Sequence, residues 1–301
     1  MRGGHTANAK VVVVTGVSSG IGLGTTKVLI ENGFQVFGSV RKKSEADQLS
    51  QELGPNFVPL LMDITNRDAV LQARDKVARQ LGTRTLAGLV NNAGVVVGGP
   101  LLYIDHDEYQ RQLEVNMIAP LMVTQAFAPL LGVDRQREGA PGRIINISST
   151  VAKIAIPFIG AYSASKAGLE GMSDALRREL IPFGIDVVLI EPGTVNTAMY
   201  DKAEREPMSK FDDTPYRDAL KEFQGQIVAE GRKGLKPKEL GKAVHLALTA
   251  KKPRLRYAVV RQRFQNWTLP RMLPARMLDA GLAQRFGLQK ALITGPRINH
   301  A

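Results

Sequence analysis

Four consecutive valines, Val11–Val14, run straight into Thr15-Gly16-Val17-Ser18-Ser19-Gly20-Ile21-Gly22. A short β-branched run of this kind suits a strand buried on both faces of a parallel sheet. A helix pattern follows from Gly20 to about Asn32. The rhythm then repeats. Gln35–Val40, Phe57–Met62, Leu86–Asn91, Arg143–Ser148 and Asp186–Glu191 read as strands, separated by helical stretches over Ser44–Leu53, Asp68–Leu81, Glu108–Leu131 and Ala161–Ile181. Pro120 and Pro129 should bend or end the third of these helices. Strands alternating with helices imply βαβ units, right-handed crossovers and one parallel sheet. With Tyr257–Val260 as a last strand, the expected fold is an α/β, doubly wound parallel sheet of about seven strands with helices on both faces. Short helices form its C-terminal extension.

Composition narrows the class. Hydrophobic content of 44% and charged content of 23% read as a soluble globular protein. No apolar run approaches the roughly 18 residues that span a bilayer, and the start shows no secretory pattern. The chain has no cysteine, which excludes disulfides and Cys-ligated metal and fits a reducing, cytoplasmic setting. Its four histidines show no metal-ligand spacing. From Lys251 onward there are eleven Lys/Arg and one acid, Asp279, so this segment holds +10 of the total charge of +12. Residues 1–9 read as a flexible tail, 10–262 as the main domain and 263–301 as a basic extension packed on or near a substrate site. Within the main domain, 197–234 is polar, charged and proline-containing, the profile of a mobile lid.

The candidate chemistry lies in Ala161-Tyr162-Ser163-Ala164-Ser165-Lys166, with Ser149 thirteen residues before the tyrosine. Residues i and i+4 share a helix face, so the Lys166 ammonium can sit beneath the Tyr162 phenol. A free phenol has a pKa of about 10, and a nearby cation lowers it. A Ser149 hydroxyl could then hold a substrate oxygen against the phenol. Such a pair is common on helix faces; the glycine turn gives it weight. Gly16 permits the turn, Gly20 lets backbone approach a pyrophosphate, and Gly22 allows close helix packing. The helix start adds free N–H groups and a positive dipole end.

These motifs, with Asn91-Asn92-Ala93-Gly94, Asn116 and Pro192-Gly193, resemble the short-chain dehydrogenase/reductase family in order and spacing over residues 10 to about 200. The run Ala175–Gly184 and Leu273-Pro274 look like its hydroxysteroid and retinol dehydrogenase-like branch. The resemblance implies a Rossmann-type sheet, a nicotinamide cofactor and a tetrad. In it Tyr162 is the acid/base, Lys166 lowers its pKa and holds the ribose, Ser149 orients the substrate oxygen, and Asn116 supports a water. It also implies cofactor contacts from Gly16, Ser18, Ser19, Gly20, Ile21 and Gly22; from Asp63 and Ile64 at the adenine; and from Asn92, Ala93 and Gly94. Pro192, Gly193, Val195 and Thr197 complete the set near the carboxamide. Asn92 could instead cap its strand, and Asn116 could bond backbone. Residues Met117–Pro120 depart from the family's usual small-residue pattern. Ser148 competes with Ser149, but strand alternation puts the two on opposite faces, and the spacing to Tyr162 favours Ser149.

An NAD enzyme usually carries a carboxylate at the end of the second strand. Here Val40 holds that place and Arg41, Lys42 and Lys43 follow. A guanidinium fits a phosphate bidentately, so NADP(H) is expected over NAD(H), unless these cations are only a solvated loop. Val95–Leu102, Thr150–Ile159 and the lid should wall the substrate, and the first two are largely apolar. That favours a small lipophilic ketone, aldehyde or alcohol. The alternative is a non-catalytic NADP(H)-binding regulator. The basic segment, with Lys251, Lys252, Arg254, Arg256, Arg261 and Arg263 among Tyr257, Phe264 and Trp267, reads first as a solvated face and second as a peripheral membrane contact. Nucleic acid is not the expected partner. The family resemblance further implies a dimer or tetramer.

Overall fold

The computed structural model describes residues 9–289. All of the tail expected over 1–9 except Ala9, and residues 290–301 of the basic extension, lie outside that range.

The chain winds through β1 (Val11–Val14), α1 (Gly20–Glu31), β2 (Gln35–Val40), α2 (Lys43–Leu53), β3 (Phe57–Leu61), α3 (Arg67–Leu81) and β4 (Gly88–Asn91). Then come α4 (His106–Leu113), a π turn (Glu114–Ile118), α5 (Ala119–Phe127), β5 (Arg143–Ile147), α6 (Gly160–Glu179) and β6 (Asp186–Pro192). The last part holds α7 (Ala198–Arg205), α8 (Arg217–Arg232), α9 (Pro237–Thr249), β7 (Arg256–Val259), a second π turn (Phe264–Thr268), α10 (Leu269–Met272) and α11 (Ala275–Arg285). The strands form one seven-stranded sheet in the order β3-β2-β1-β4-β5-β6-β7, with every pair parallel. The order reverses between β1 and β4, where doubly wound sheets open a crevice at their C-terminal edge.

The valine run shows why both faces must be covered. Val11 and Val13 pack with α3 and α5, while Val12 and Val14 pack with α1, α2 and α9. Strand alternation sends neighbours to opposite faces, and all four are buried. On α5, Ala119, Val123 and Phe127 recur every fourth residue and are wholly buried. The helix from His106 to Leu131 is apolar enough by length and composition to cross a membrane, but this stripe presses it onto the sheet.

One expectation needs correction, and two segments gain helices that the periodicity did not assign. Pro120 does not break the long helix: the π turn just before it absorbs the register change, and the proline falls in the first turn of α5, where no N–H bond is lost. Residues 197–234, read as a polar lid, contain helices that the periodicity did not assign. They fold into α7, a 3-10 turn (Met208–Phe211) and α8, and bury Phe211, Leu220 and Phe223 against Phe158 and Phe286. Residues 237–249, left without an element by the periodicity, form α9 against α1. There a Cβ on Gly241 would sit 2.7 Å from the Gly24 carbonyl oxygen, so only glycine permits the approach.

Candidate active site

Every segment of the site leaves the C-terminal end of a strand. The glycine turn follows β1, Asn92–Val95 follows β4, Ser148 and Ser149 follow β5, and Gly193–Thr197 follows β6. The turn is clamped from two sides. Gly16 N–H donates to Ser39 Oγ at 2.9 Å, and Asn92 Nδ2 donates to the Thr15 and Gly16 carbonyls at 2.8 and 3.0 Å. Asn92 thus ties β4 to the turn, the structural role weighed for it. Thr15 Oγ1 accepts from the Asn92 and Ala93 N–H groups at 2.9 and 3.0 Å. The periodicity gave no hint of Thr15 or Ser39.

The cradle fits a dinucleotide phosphate. Helix α1 begins without an acidic residue in its first turn, and Ser19 makes no side-chain cap, so its N–H groups and hydroxyl face outward unneutralised. A Cβ on Gly22 would lie 2.2 Å from the Gly16 oxygen and 2.5 Å from Asn92 Nδ2, so only glycine lets α1 pack this closely on the turn. Ser18 is exposed, and Ile21 packs beside the core under α1. Gly20 faces the Thr197 side chain across the opening, with its Cβ position 3.2 Å from the Thr197 methyl. At the end of β2, Val40 is buried and Arg41 exposed. Asp63 accepts from Thr65 N–H and Oγ1 at 3.0 and 2.8 Å. Those bonds and nearby Arg41 hold its carboxyl below the usual range. Ile64 is a core residue. Gly94 is exposed, Val195 is buried, and Gly193 N–H donates to Val259 at 3.0 Å, so the Pro192-Gly193 segment is fastened to β7.

Helix α6 carries Tyr162 and Lys166 as expected, with the ammonium 5.7 Å from the phenol ring centre. The Lys166 Nζ is buried and donates to the Ile147 carbonyl at 2.7 Å. Burial lowers its pKa to about 8. At the Tyr162 hydroxyl, burial outweighs the lowering expected from Lys166. Tyr162 is partly exposed as a residue, yet its hydroxyl sits in dry surroundings, and desolvation raises its pKa to about 12. Hydrogen bonding from Ser149 opposes that rise, and the nearby Tyr200 phenol adds to it. Tyr200, on α7, went unnoticed in the sequence; its ring fills the space over Gly231.

Ser149 and Ser148 part company as alternation requires. Ser149 stands before a short 3-10 turn beside the phenol, while Ser148 Oγ turns inward to Glu170 Oε1 at 2.7 Å. Asn116 lies in the π turn, close to Gly94 and completely buried. Its side chain accepts from Val95 N–H and donates to the Val95 carbonyl, both at 2.9 Å, and to Ser165 Oγ at 3.1 Å. The side chain therefore ties the π turn to the loop after β4 and does not bond its own helix backbone, the alternative weighed for it. Of the expected walls, Phe158 closes onto Gly99 through a 2.7 Å N–H···O bond. Leu101 and Leu102 are 58% and 79% exposed and face solvent instead of a pocket.

Glu170 is one turn beyond Lys166 on the same face, a signal present in the spacing but not drawn from it. It meets Arg256 and, at 2.9 Å, Lys153. Arg256 also binds Glu191 and Asp174, each at 2.8 Å. Arg256 and Tyr257 thus belong to the sheet edge and leave the expected basic surface.

Comparison with known proteins agrees with this architecture. A family model described as short chain dehydrogenase matches residues 10–207. The NADPH-dependent 3-dehydrocapnine reductase of Ornithobacterium rhinotracheale is 36% identical over 270 residues, covering 90% of this chain and 95% of its own. Retinol dehydrogenase 5 of Mus musculus is 34% identical, covering 92% and 88%. A short chain dehydrogenase from Burkholderia cenocepacia solved with NADP superposes with a TM-score of 0.69 at 27% identity, over 92% of this chain and 98% of that one.

Proposed function

Because the chain belongs to the short-chain dehydrogenase family, we propose that it is an NADP(H)-dependent oxidoreductase interconverting a lipophilic ketone or aldehyde and its alcohol, with Tyr162 as acid/base. One observation carries the reading: the Tyr162 phenol lies beside Ser149, with the buried Lys166 ammonium 5.7 Å from its ring centre and fixed to the end of β5.

Bound NADPH supplies the hydride. The turn from Gly16 to Gly22 would hold its pyrophosphate, Arg41 its 2′-phosphate, and Asp63 with Ile64 its adenine. Asn92–Gly94, Lys166 and the segment Pro192–Thr197 would hold the nicotinamide end. Ser149 holds the substrate oxygen, and Tyr162 gives its phenolic proton to that oxygen. Below about pH 8 Lys166 stays protonated and stabilises the phenolate left behind. Phe158, Phe211 and Phe223 keep water from the reacting carbon. With a pKa of about 12 the phenol is protonated at neutral pH, the form that proton donation to a carbonyl oxygen requires. The names of the two relatives support the cofactor and the substrate class: one is an NADPH-dependent reductase, the other a retinol dehydrogenase. The presence of both Tyr162 and Lys166 speaks against the regulator reading.

The test is a panel of lipophilic ketones with NADPH and NADH, followed by absorbance. Tyr162→Phe should lose at least about 100-fold in turnover while its NADPH affinity, read by fluorescence titration, stays unchanged. Retained turnover would remove Tyr162 from its role. A wild-type chain that binds NADPH and reduces nothing on the panel would restore the regulator reading.

A further inference from the structure

The charge that the sequence concentrates after residue 250 is sorted by the fold into three places. Lys251, Lys252 and Arg254 precede β7 and lie at the end of the sheet opposite the site. Arg256 is held inside by three carboxylates. Arg261, Arg263, Arg271 and Arg276 follow β7 and so lie at the C-terminal edge, the end that carries the site. Among the described residues after Val260, Arg285 is the arginine with a carboxylate partner, Glu230.

The same segment is fastened by two aromatic side chains, Trp267 and Phe286, 5% and 1% exposed. Between and around them its helices turn apolar groups outward. Phe264 is 65% exposed, Leu269 41%, Met272 73% and Met277 60%. The N–H of Leu269 bonds to the Phe264 carbonyl, so the π turn stacks these two residues. Met272 follows three positions later on the same side of α10. Phe286 and Leu282 tie α11 to the aromatic roof over the site through Phe223 and Phe158.

We propose that the apolar side chains this segment exposes, Phe264, Leu269 and Met272 on one side of the π turn and α10 together with Met277 on α11, dock on an anionic phospholipid surface. Charge decides the occupant. Arg261 donates to the Lys233 carbonyl and Arg271 lies over the Trp267 ring, which leaves Arg263 and Arg276 without a carboxylate partner among the described residues. A second copy would bring its own cations against this segment, and like charges disfavour that contact. An anionic leaflet neutralises them, while the exposed Phe, Leu and Met enter the headgroup boundary and the arginine stems lie along it. The inference goes beyond the catalytic reading and does not rest on it.

The test is co-sedimentation of the purified chain with phosphatidylcholine vesicles, with and without about 30% phosphatidylserine, at about 50 mM and about 500 mM salt. Binding is expected on the anionic vesicles at low salt, and at least about tenfold weaker on neutral vesicles or at high salt. Met272→Asp/Met277→Asp and Arg263→Glu/Arg276→Glu should each weaken low-salt binding at least about fivefold, with wild-type melting temperature and elution volume. These positions are exposed, so the variants should fold. Absence of binding to anionic vesicles at low salt overturns the proposal, as does undiminished binding by both variants. A wild-type dimer that Met272→Asp/Met277→Asp splits, without vesicle binding, assigns the face to a second copy. Retention of duplex DNA without vesicle binding assigns it to nucleic acid.

Discussion

Replacing Arg256 with methionine removes the cation that lies between Glu170, Glu191 and Asp174 while keeping an unbranched side chain of similar length. The arginine is 30% exposed, but Glu170 and Glu191 are only 2% exposed. Removing one partner of a buried pair costs about 3–5 kcal/mol, because a carboxylate stays behind in a poor solvent. Lys153 remains on Glu170 at 2.9 Å, so Glu191 becomes the uncompensated group. That places the loss near the low end, about 3 kcal/mol, or a melting temperature lower by roughly 6 °C. The loss should depend on pH in a fixed direction. Burial already raises the Glu191 pKa, and Arg256 works against that rise. In the variant the folded-state value climbs further above the unfolded one, so the folded chain binds the proton more tightly. Stability then falls as pH rises from the unfolded carboxylate value through the folded one. The deficit should be small at pH 5 and full at pH 8. Urea unfolding of both proteins at the two pH values measures it, and Glu191→Gln added to the variant should recover most of it. A deficit under about 1 kcal/mol at pH 8, or one equal at both pH values, would refute the reasoning.

Gly22→Ala forces a Cβ to 2.2 Å from the Gly16 oxygen, so the turn must shift; NADPH affinity by fluorescence should fall, with a stability loss of about 1–3 kcal/mol by urea unfolding. Arg41→Asp should raise the KM for NADPH about tenfold or more and leave that for NADH less affected; an equal effect on both would return Arg41 to the solvated loop. Lys166 has a folded pKa of about 8, below its unfolded value, so the wild type should gain stability between about pH 8 and pH 10 as the unfolded chain alone remains protonated. Lys166→Met should lack that gain, and parallel melting curves for the two across this window would contradict a buried ammonium.

The sheet was legible because each strand is a β-branched or apolar run bounded by its own turn, and β2 matches the sequence reading end to end. Helix α9 was hidden by its composition: Pro237 and Gly241 look like breakers, yet the proline opens the helix and the glycine meets α1. Helix α8 was hidden by charge, since its buried stripe is thin, chiefly Leu220, Phe223 and Val228 among Arg, Lys and Glu. Spacing correctly placed Lys166 near Tyr162, but it carries no information about desolvation. How dry a hydroxyl becomes depends on groups such as Tyr200, from a helix that periodicity did not show. The partners of Arg256 lie 65 to 86 residues away along the chain, beyond any local pattern.

Those distant partners bear on why the site holds its shape. One face of α6 presents Tyr162, Lys166, Glu170 and Ser173 in sequence, and three of them fasten to the sheet. Lys166 donates to Ile147 at the end of β5, Glu170 accepts from Ser148, and Ser173 accepts from Asn146 at 2.8 Å. Each bond fixes the helix against β5, so the Tyr162 phenol cannot slide relative to Ser149 without breaking several buried bonds. Glu170 can stand at that junction only because Arg256 and Lys153 neutralise it, and Arg256 comes from β7, beyond the residues 10–207 that the family model matches. A chain cut after β6 would keep Asn116, Ser149, Tyr162 and Lys166. It would leave Glu170 and Glu191 buried without their shared cation, and repulsion between those carboxylates would act on the helix that carries the phenol and on the strand end before Pro192.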